Sequence, residues 1–215
     1  MRHIVKGDEP KLFQDWKALA NEDWQPSYDS LQNPEKKDLH RALLKEQGFV
    51  CCYCGREIEL GNSHIEHFRP QYAFESLELD YQNLHASCIR ECDPEMPLHC
   101  GHHKGEWFNE ELAISPLESD CESRFSYTLD GSIYPTDETD YPASSMIENI
   151  NLYIAYLENR REETLKGVFD EDFLLTFTNE ELATLTTQFR TMKYGRHEAF
   201  GHVVARYAEQ LGAMA

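Results

Sequence analysis

Cys51-Cys52-Tyr53-Cys54, His64-Ile65-Glu66-His67, Tyr81-Gln82-Asn83-Leu84, Cys88 and Cys100-Gly101-His102-His103-Lys104-Gly105 follow one another within about a quarter of the chain. All seven cysteines lie between Cys51 and Cys121, and six of the ten histidines (His64, His67, His85, His99, His102, His103) fall in the same stretch. Thiolates suit zinc, whereas a carboxylate beside imidazoles suits a harder divalent ion, so the stretch carries donors for two different metals.

The cysteines are odd in number and nothing marks the chain for secretion, which argues against a disulfide framework. Cys51 and Cys54 have knuckle spacing, and with Cys88 and Cys100 they would close a four-thiolate site in which zinc is structural. The second pair is stretched by a Pro-containing insertion over 89–99, and Cys92 competes for either slot. Cys52, between the two ligands, would point away from the ion and is read as a small buried residue. The bland alternative is a reduced, metal-free group of core cysteines.

Working outward, 215 residues allow one generous domain or a small catalytic module wrapped in helices. An apolar share of 40% with 12% aromatics indicates a globular chain rather than disorder. No apolar run approaches the roughly 18 residues of a membrane span, and the opening Met1-Arg2-His3-Ile4-Val5-Lys6 lacks the apolar core of a secretory signal. A cytoplasmic protein without membrane contact is the expectation.

The helical punctuation predicts a helix over Leu12, Phe13, Trp16, Leu19 and Ala20, ending near Asn21. A second helix would be capped by Asn33, carry Pro34 in its first turn, present Leu39, Ala42 and Leu43 on one face and stop at Gly48. Phe49 to Gly55 reads as a short strand turning at Gly55. In a regular strand His64, Glu66 and Phe68 share one face while Ile65 and His67 share the other, so Glu66 and His67 converge only where the strand ends, near Pro70. Asp80 to Cys88 reads as a turn or short helix, and Glu106 to Tyr141 as acidic and irregular with a turn at Asp130-Gly131. From Ser144 to Gly212 three or four helices are expected, with Ile147, Ile150, Ile154 and Leu157 at helical spacing.

The order Cys-x-x-Cys, Glu66-His67, Asn83, Cys88, Cys100-x-x-x-Lys104-Gly105 resembles the zinc-stapled HNH, or ββα-metal, endonucleases. More narrowly, Met1-Arg2-x-Ile4, His64-Ile65-Glu66-His67, Tyr81-x-Asn83-Leu84-x-Ala86-Ser87-Cys88, His99-Cys100-Gly101-His102-x-Lys104-Gly105, Ile114-Ser115-Pro116-Leu117 and Cys121-Glu122-Ser123-x-Phe125 resemble the HNH proteins of bacterial anti-phage systems, the Septu component PtuB and its retron-associated relatives. The resemblance implies an α+β fold: a small zinc-stapled ββα-metal core over 49–125, set between an N-terminal helical segment, 1–48, and a helical C-terminal region, 126–215.

The same resemblance assigns roles. Phosphodiester hydrolysis needs an activated water and charge relief on the phosphate. His67 matches the general base, and the ordinary histidine pKa suits that task at neutral pH. Glu66 matches the acidic ligand of a catalytic Mg2+ or Mn2+, although Asp is the usual occupant. The second ligand normally follows the last cysteine directly; Gly101 stands there and cannot ligate, so His102 takes the position, with His103 as the fallback. Asn83 matches the residue that holds the metal loop to the strand by backbone hydrogen bonds. Lys104 would touch phosphate or cap the helix, and His64 is read as a packed residue or hydrogen-bond partner.

The formal charge of −19 sits uneasily with nucleic acid as substrate. Residues 1–50 carry 8 basic and 9 acidic side chains, whereas 106–140 carry 1 and 10, so the acidity is concentrated after the metal cluster. Such a patch is either a solvated surface or a dock for a basic partner. The resemblance supplies one: a PtuA-like ABC-type ATPase, in some systems with a retron reverse transcriptase and its RNA–DNA. A zinc deaminase reading of His64-Ile65-Glu66 fails because the required Cys-x-x-Cys lies upstream rather than downstream. The serious alternative is a non-catalytic zinc-binding module that mediates protein or nucleic-acid interaction; it accounts for the cysteines but not for Glu66, His67, Asn83 and His102.

Overall fold

The computed structural model describes residues 1–89 and 97–214, and Cys92 lies outside the described residues. Helix α1 spans Lys11–Lys17, and α2 spans Glu35–Glu46. α1 is shorter than its periodicity predicts because Phe13 is its one buried side chain, while Leu12 and Leu19 face solvent. Nothing apolar holds a further turn in place. α2 buries Leu39, Leu43 and Leu44 as a stripe; Pro34, not Asn33, takes its N-cap position, with no side-chain capping bond.

Strand β1 (His64–His67) pairs antiparallel with β2 (Leu84–Ser87), setting Ile65 opposite Ala86 and Glu66 opposite His85. The expected turn or helix over 80–88 is confined to a single 3-10 turn at Tyr81–Asn83, closed by the Asp80 side chain accepting from Gln82 N. β2 escapes a sequence reading because all four of its side chains are buried, leaving no polar alternation to mark it. Helix α3 is one turn, Gly101–Lys104, and completes a strand, strand, helix order around the histidines. The acidic stretch is less irregular than expected, since β3 (Phe125–Tyr127) and β4 (Ile133–Pro135) form a hairpin around Asp130-Gly131.

The C-terminal part carries α4 (Tyr141–Asn149), α5 (Ala155–Lys166), α6 (Asn179–Arg190) and α7 (Gly201–Met214). Ile147, Ile150, Ile154 and Leu157 are all buried but do not share a helix: the chain breaks after Asn149, and Asn151 is left-handed at φ 55°. The break frees polar groups for another segment. Ile150 O accepts from Cys100 N at 2.8 Å, and Asn151 Nδ2 donates to Leu98 O at 2.7 Å, so the tail clamps the loop that delivers Cys100.

The tail also clamps the first cysteine pair. Phe200 N donates to Gly55 O and His197 N to Gly48 O, each at 2.8 Å. Gly55 has φ +76°, and a Cβ there would lie 2.6 Å from His202 Nδ1, so both the turn and the packing demand glycine. One buried cluster contains Phe13, Leu43, Cys51, Leu84, Leu157 and Val203, so the stretches 1–48, 49–125 and 126–215 share a single core. Helices with two small antiparallel sheets make the fold α+β, as expected. Among the described residues no helix is long and apolar enough to cross a membrane.

Candidate active site and thiolate cluster

Cys51 and Cys54 flank the turn into Gly55, Cys88 follows β2, and Cys100 precedes α3. Their four sulfurs lie within 4.8 Å of one another and all four residues are buried. Cys54 Sγ and Cys88 Sγ are 3.6 Å apart, close to the roughly 3.8 Å edge of a tetrahedron with Zn–S near 2.3 Å. Backbone donors support the sulfurs: Cys88 N reaches Cys51 Sγ at 3.4 Å, and Arg56 N reaches Cys54 Sγ at 3.5 Å.

Burial works to raise the Cys51 thiol, but the surrounding thiols of Cys100, Cys52, Cys54 and Cys88 outweigh it and hold it well below its ordinary value. Cys100 is pushed well above, first by burial and then by Cys51, Cys54 and Cys88. Four buried thiols cannot all ionise together without a cation among them, so the donor set fits a structural zinc. His99 is fully buried, with Nδ1 3.2 Å from Cys100 Sγ and 3.7 Å from Cys88 Sγ. It supports the thiolate cluster from outside. Its position next to Cys100 was the available signal.

The second group is built on Glu66. Its carboxylate is buried and receives Tyr53 Oη at 3.2 Å and Lys104 Nζ at 3.0 Å on Oε1, while Oε2 faces His64 Nε2 at 3.3 Å. Burial pushes the Glu66 carboxyl up, but the His64 hydrogen bond and the Lys104 ammonium outweigh it and keep it below the usual carboxylate range. His64 and His102 lie with ring centroids 4.5 Å apart. His64 Nδ1 and His102 Nε2 each approach Ile89 O at 2.6 Å.

Gly101 is the floor of this group. A Cβ there would sit 2.6 Å from His64 Nε2 and 2.9 Å from Glu66 Cδ, and closer still to Glu66 Oε2. The residue that cannot ligate therefore makes the room in which the carboxylate and imidazole stand. Carboxylate and imidazole are donor types for a divalent cation, but among the described residues the four cysteines are the group whose ligand atoms already converge within 4.8 Å; His64 faces acceptors with both ring nitrogens, which leaves Glu66 and His102 as the candidate ligands here. His103 is exposed, unlike the half-buried His102.

His67 ends β1 and packs its ring edge-on to Tyr28, centroids 4.4 Å apart. Its Nε2 donates to Glu78 O at 3.0 Å, which leaves Nδ1 as the basic nitrogen. Burial holds its pKa below the ordinary histidine value, so the ring is neutral near pH 7. Lys104 anchors the end of β1: buried at 3% exposure, it donates to Glu66 Oε1 and, at 2.9 Å, to the backbone oxygen of His67. It is thus an internal counter-ion, neither reaching out toward solvent nor capping α3. Asn83 ties the segment after β1 to the turn before β2. Its Oδ1 accepts from Arg69 N at 2.7 Å, and its Nδ2 donates to Arg69 O at 3.0 Å and Leu77 O at 3.1 Å.

The structure therefore sets both Glu66 and His102 beside His64, and Lys104 ties the Glu66 carboxylate to the backbone of His67. Tyr53 and Lys104 belong to this group and were not assigned to it on spacing. The strand alternation that puts His64 and Glu66 on one face was the signal for His64. Tyr53 carried none, because only the fold carries the knuckle against β1.

No family model matches the chain. It is 26% identical over 161 residues, covering 72% of this chain and 75% of the relative, to a protein of Vibrio cholerae serotype O1 biovar El Tor that bears the name of HNH endonuclease of retron Vc95. The chain is thus a distant homologue of a retron-associated protein named as a candidate HNH endonuclease.

Proposed function

We propose that this protein is a divalent-cation-dependent endonuclease of HNH type, with DNA as the expected substrate. In this reading it is the effector of a retron- or Septu-type anti-phage system under the control of an ABC-type ATPase. The observation that carries the reading is the grouping of His64, Glu66 and His102 around Gly101, beside a neutral His67 whose Nδ1 is left as the basic nitrogen. The name of the Vibrio cholerae relative supports the retron setting. The acidity of residues 106–140 supports dependence on a partner that supplies the grip on nucleic acid.

Glu66 and His102 would hold a Mg2+ or Mn2+ ion, with His64 beside them, and the ion's contribution is charge relief on the scissile phosphate. His67 Nδ1 takes the proton of the attacking water. The Nε2 hydrogen bond to Glu78 O keeps that ring in the tautomer the task requires. Lys104 neutralises Glu66 and fixes the strand end, and Asn83 holds the following segment in register. The four cysteines staple the loops that present these groups.

His67→Ala tests the mechanism. Cutting of DNA should fall by about 100-fold or more with zinc content and melting temperature retained. Cleavage by the variant at the wild-type rate would refute the role of His67 and, with it, this reading of the site.

A further inference from the structure

A cleft of about 460 Å³ runs between α2 and β1, lined among others by Tyr28, Lys36, Lys37, His40, Ser63 and His64. It meets the candidate active site at two points. His64 lines it directly, and Tyr28 is the residue packed edge-on to His67.

Its charge sets it apart. None of its lining residues among those described is acidic, whereas four other cavities of the described surface each carry at least one carboxylate. Lys36 and His40 stand four residues apart on α2, and Lys37 and His40 three apart, so all three share the helix face that looks onto β1. Lys36 Nζ lies 4.4 Å from the centroid of the Tyr28 ring, which itself touches His67.

Among the described residues neither lysine pairs with a carboxylate, whereas Lys6, Lys11, Lys17, Lys104 and Lys166 do; Lys45 and Lys193 are unpaired as well, but they do not line the cleft or stand beside a second lysine. Two ammonium groups side by side without an ion pair, lining a cleft that has no carboxylate of its own in a chain of net charge −19, favour the entry of negative charge there.

We propose that this cleft carries the phosphodiester backbone of the nucleic-acid strand next to the cutting site, with Lys36 and Lys37 as its phosphate contacts and the strand leaving past His64. The inference rests on the nuclease reading and adds to it the direction of approach and the residues that bind.

The test compares the full chain with K36Q/K37Q, with K36R/K37R, and with K166Q/K193Q as a charge-matched control whose residues do not line the cleft. Affinity for labelled single-stranded and duplex DNA is measured across a salt series, and cleavage kinetics are followed with Mg2+ or Mn2+. K36Q/K37Q should bind about 10-fold more weakly near 0.1 M salt, with a salt slope shallower by about one unit per lysine. KM should rise while kcat stays unchanged. K36R/K37R should keep the wild-type affinity, and K166Q/K193Q should match the wild type throughout. Wild-type KM and salt slope in K36Q/K37Q, in a chain that cuts, would overturn the cleft assignment and leave the nuclease reading standing. A wild-type chain that neither binds nor cuts DNA even in complex with its ATPase partner overturns both.

Discussion

Replacing Gly101 by alanine adds one methyl group and separates an ordinary helix effect from the demands of the candidate site. In a free helical turn the change stabilises by up to about 1 kcal/mol. Here the new Cβ would stand 2.6 Å from His64 Nε2 and 2.9 Å from Glu66 Cδ. Resting contacts are near 3.5 Å, so these groups must retreat by roughly 1 Å. Glu66 has little freedom to do so, because Tyr53 and Lys104 hold its other oxygen. Overpacking of this kind costs about 1–3 kcal/mol, which leaves a net loss of roughly 0–2 kcal/mol once the helix gain is subtracted. For a chain of this size that is a fall of at most about 8 °C in melting temperature. Cutting suffers more, by about 100-fold, since a displacement of about 1 Å in a catalytic group is worth that much. Single-turnover cleavage, calorimetry and zinc analysis of G101A give the three readouts, and zinc should stay bound. Wild-type cutting together with a raised melting temperature would refute the reasoning, because it would mean that the space over Gly101 is not needed.

Asn83→Ala removes three hydrogen bonds to backbone groups of Arg69 and Leu77, and should cost about 2–4 kcal/mol in urea unfolding while lowering cleavage. Zinc analysis of the purified chain should return about one equivalent, lost in C88S together with cooperative melting and retained in C92S; a zinc-replete C88S would contradict the four-cysteine site. The Asp140 carboxyl is depressed below its ordinary 3.8, first by its hydrogen bond with Arg124, and it also caps α4 through Ala143 N. Its contribution is therefore complete above the ordinary carboxylate range and is lost as pH falls through the depressed value. D140N keeps the cap but not the charge, so its stability should fall less than that of the wild type between pH 6 and pH 3 in urea titrations, at about 1 kcal/mol lower stability near neutrality.

Metal-type side chains were legible in the linear chain because ligand chemistry is a matter of residue type and short spacing. Cys51 and Cys54 announce a knuckle, and Glu66, His67 and Asn83 stand in an order that resembles a known nuclease family. α2 was legible for the same local reason, an apolar stripe between Pro34 and Gly48. β2 was not, since a strand buried on both faces has no alternation to read. Nor was the break between α4 and α5, which exists because Ile150 O and Asn151 serve Cys100 and Leu98 from far along the chain.

The sequence by itself determined which residues could bind metal and which short segments deliver them, because those properties are carried by side-chain chemistry and local pattern. Only the tertiary structure decided how they are grouped. It set Cys88 and Cys100 beside the first cysteine pair, packed His64 against His102 while leaving His103 exposed, and turned Lys104 inward onto Glu66. It also showed why glycine stands at 101, where His64 and Glu66 from β1 occupy the space a side chain would need. Such facts depend on contacts between residues distant in sequence, which no local pattern encodes.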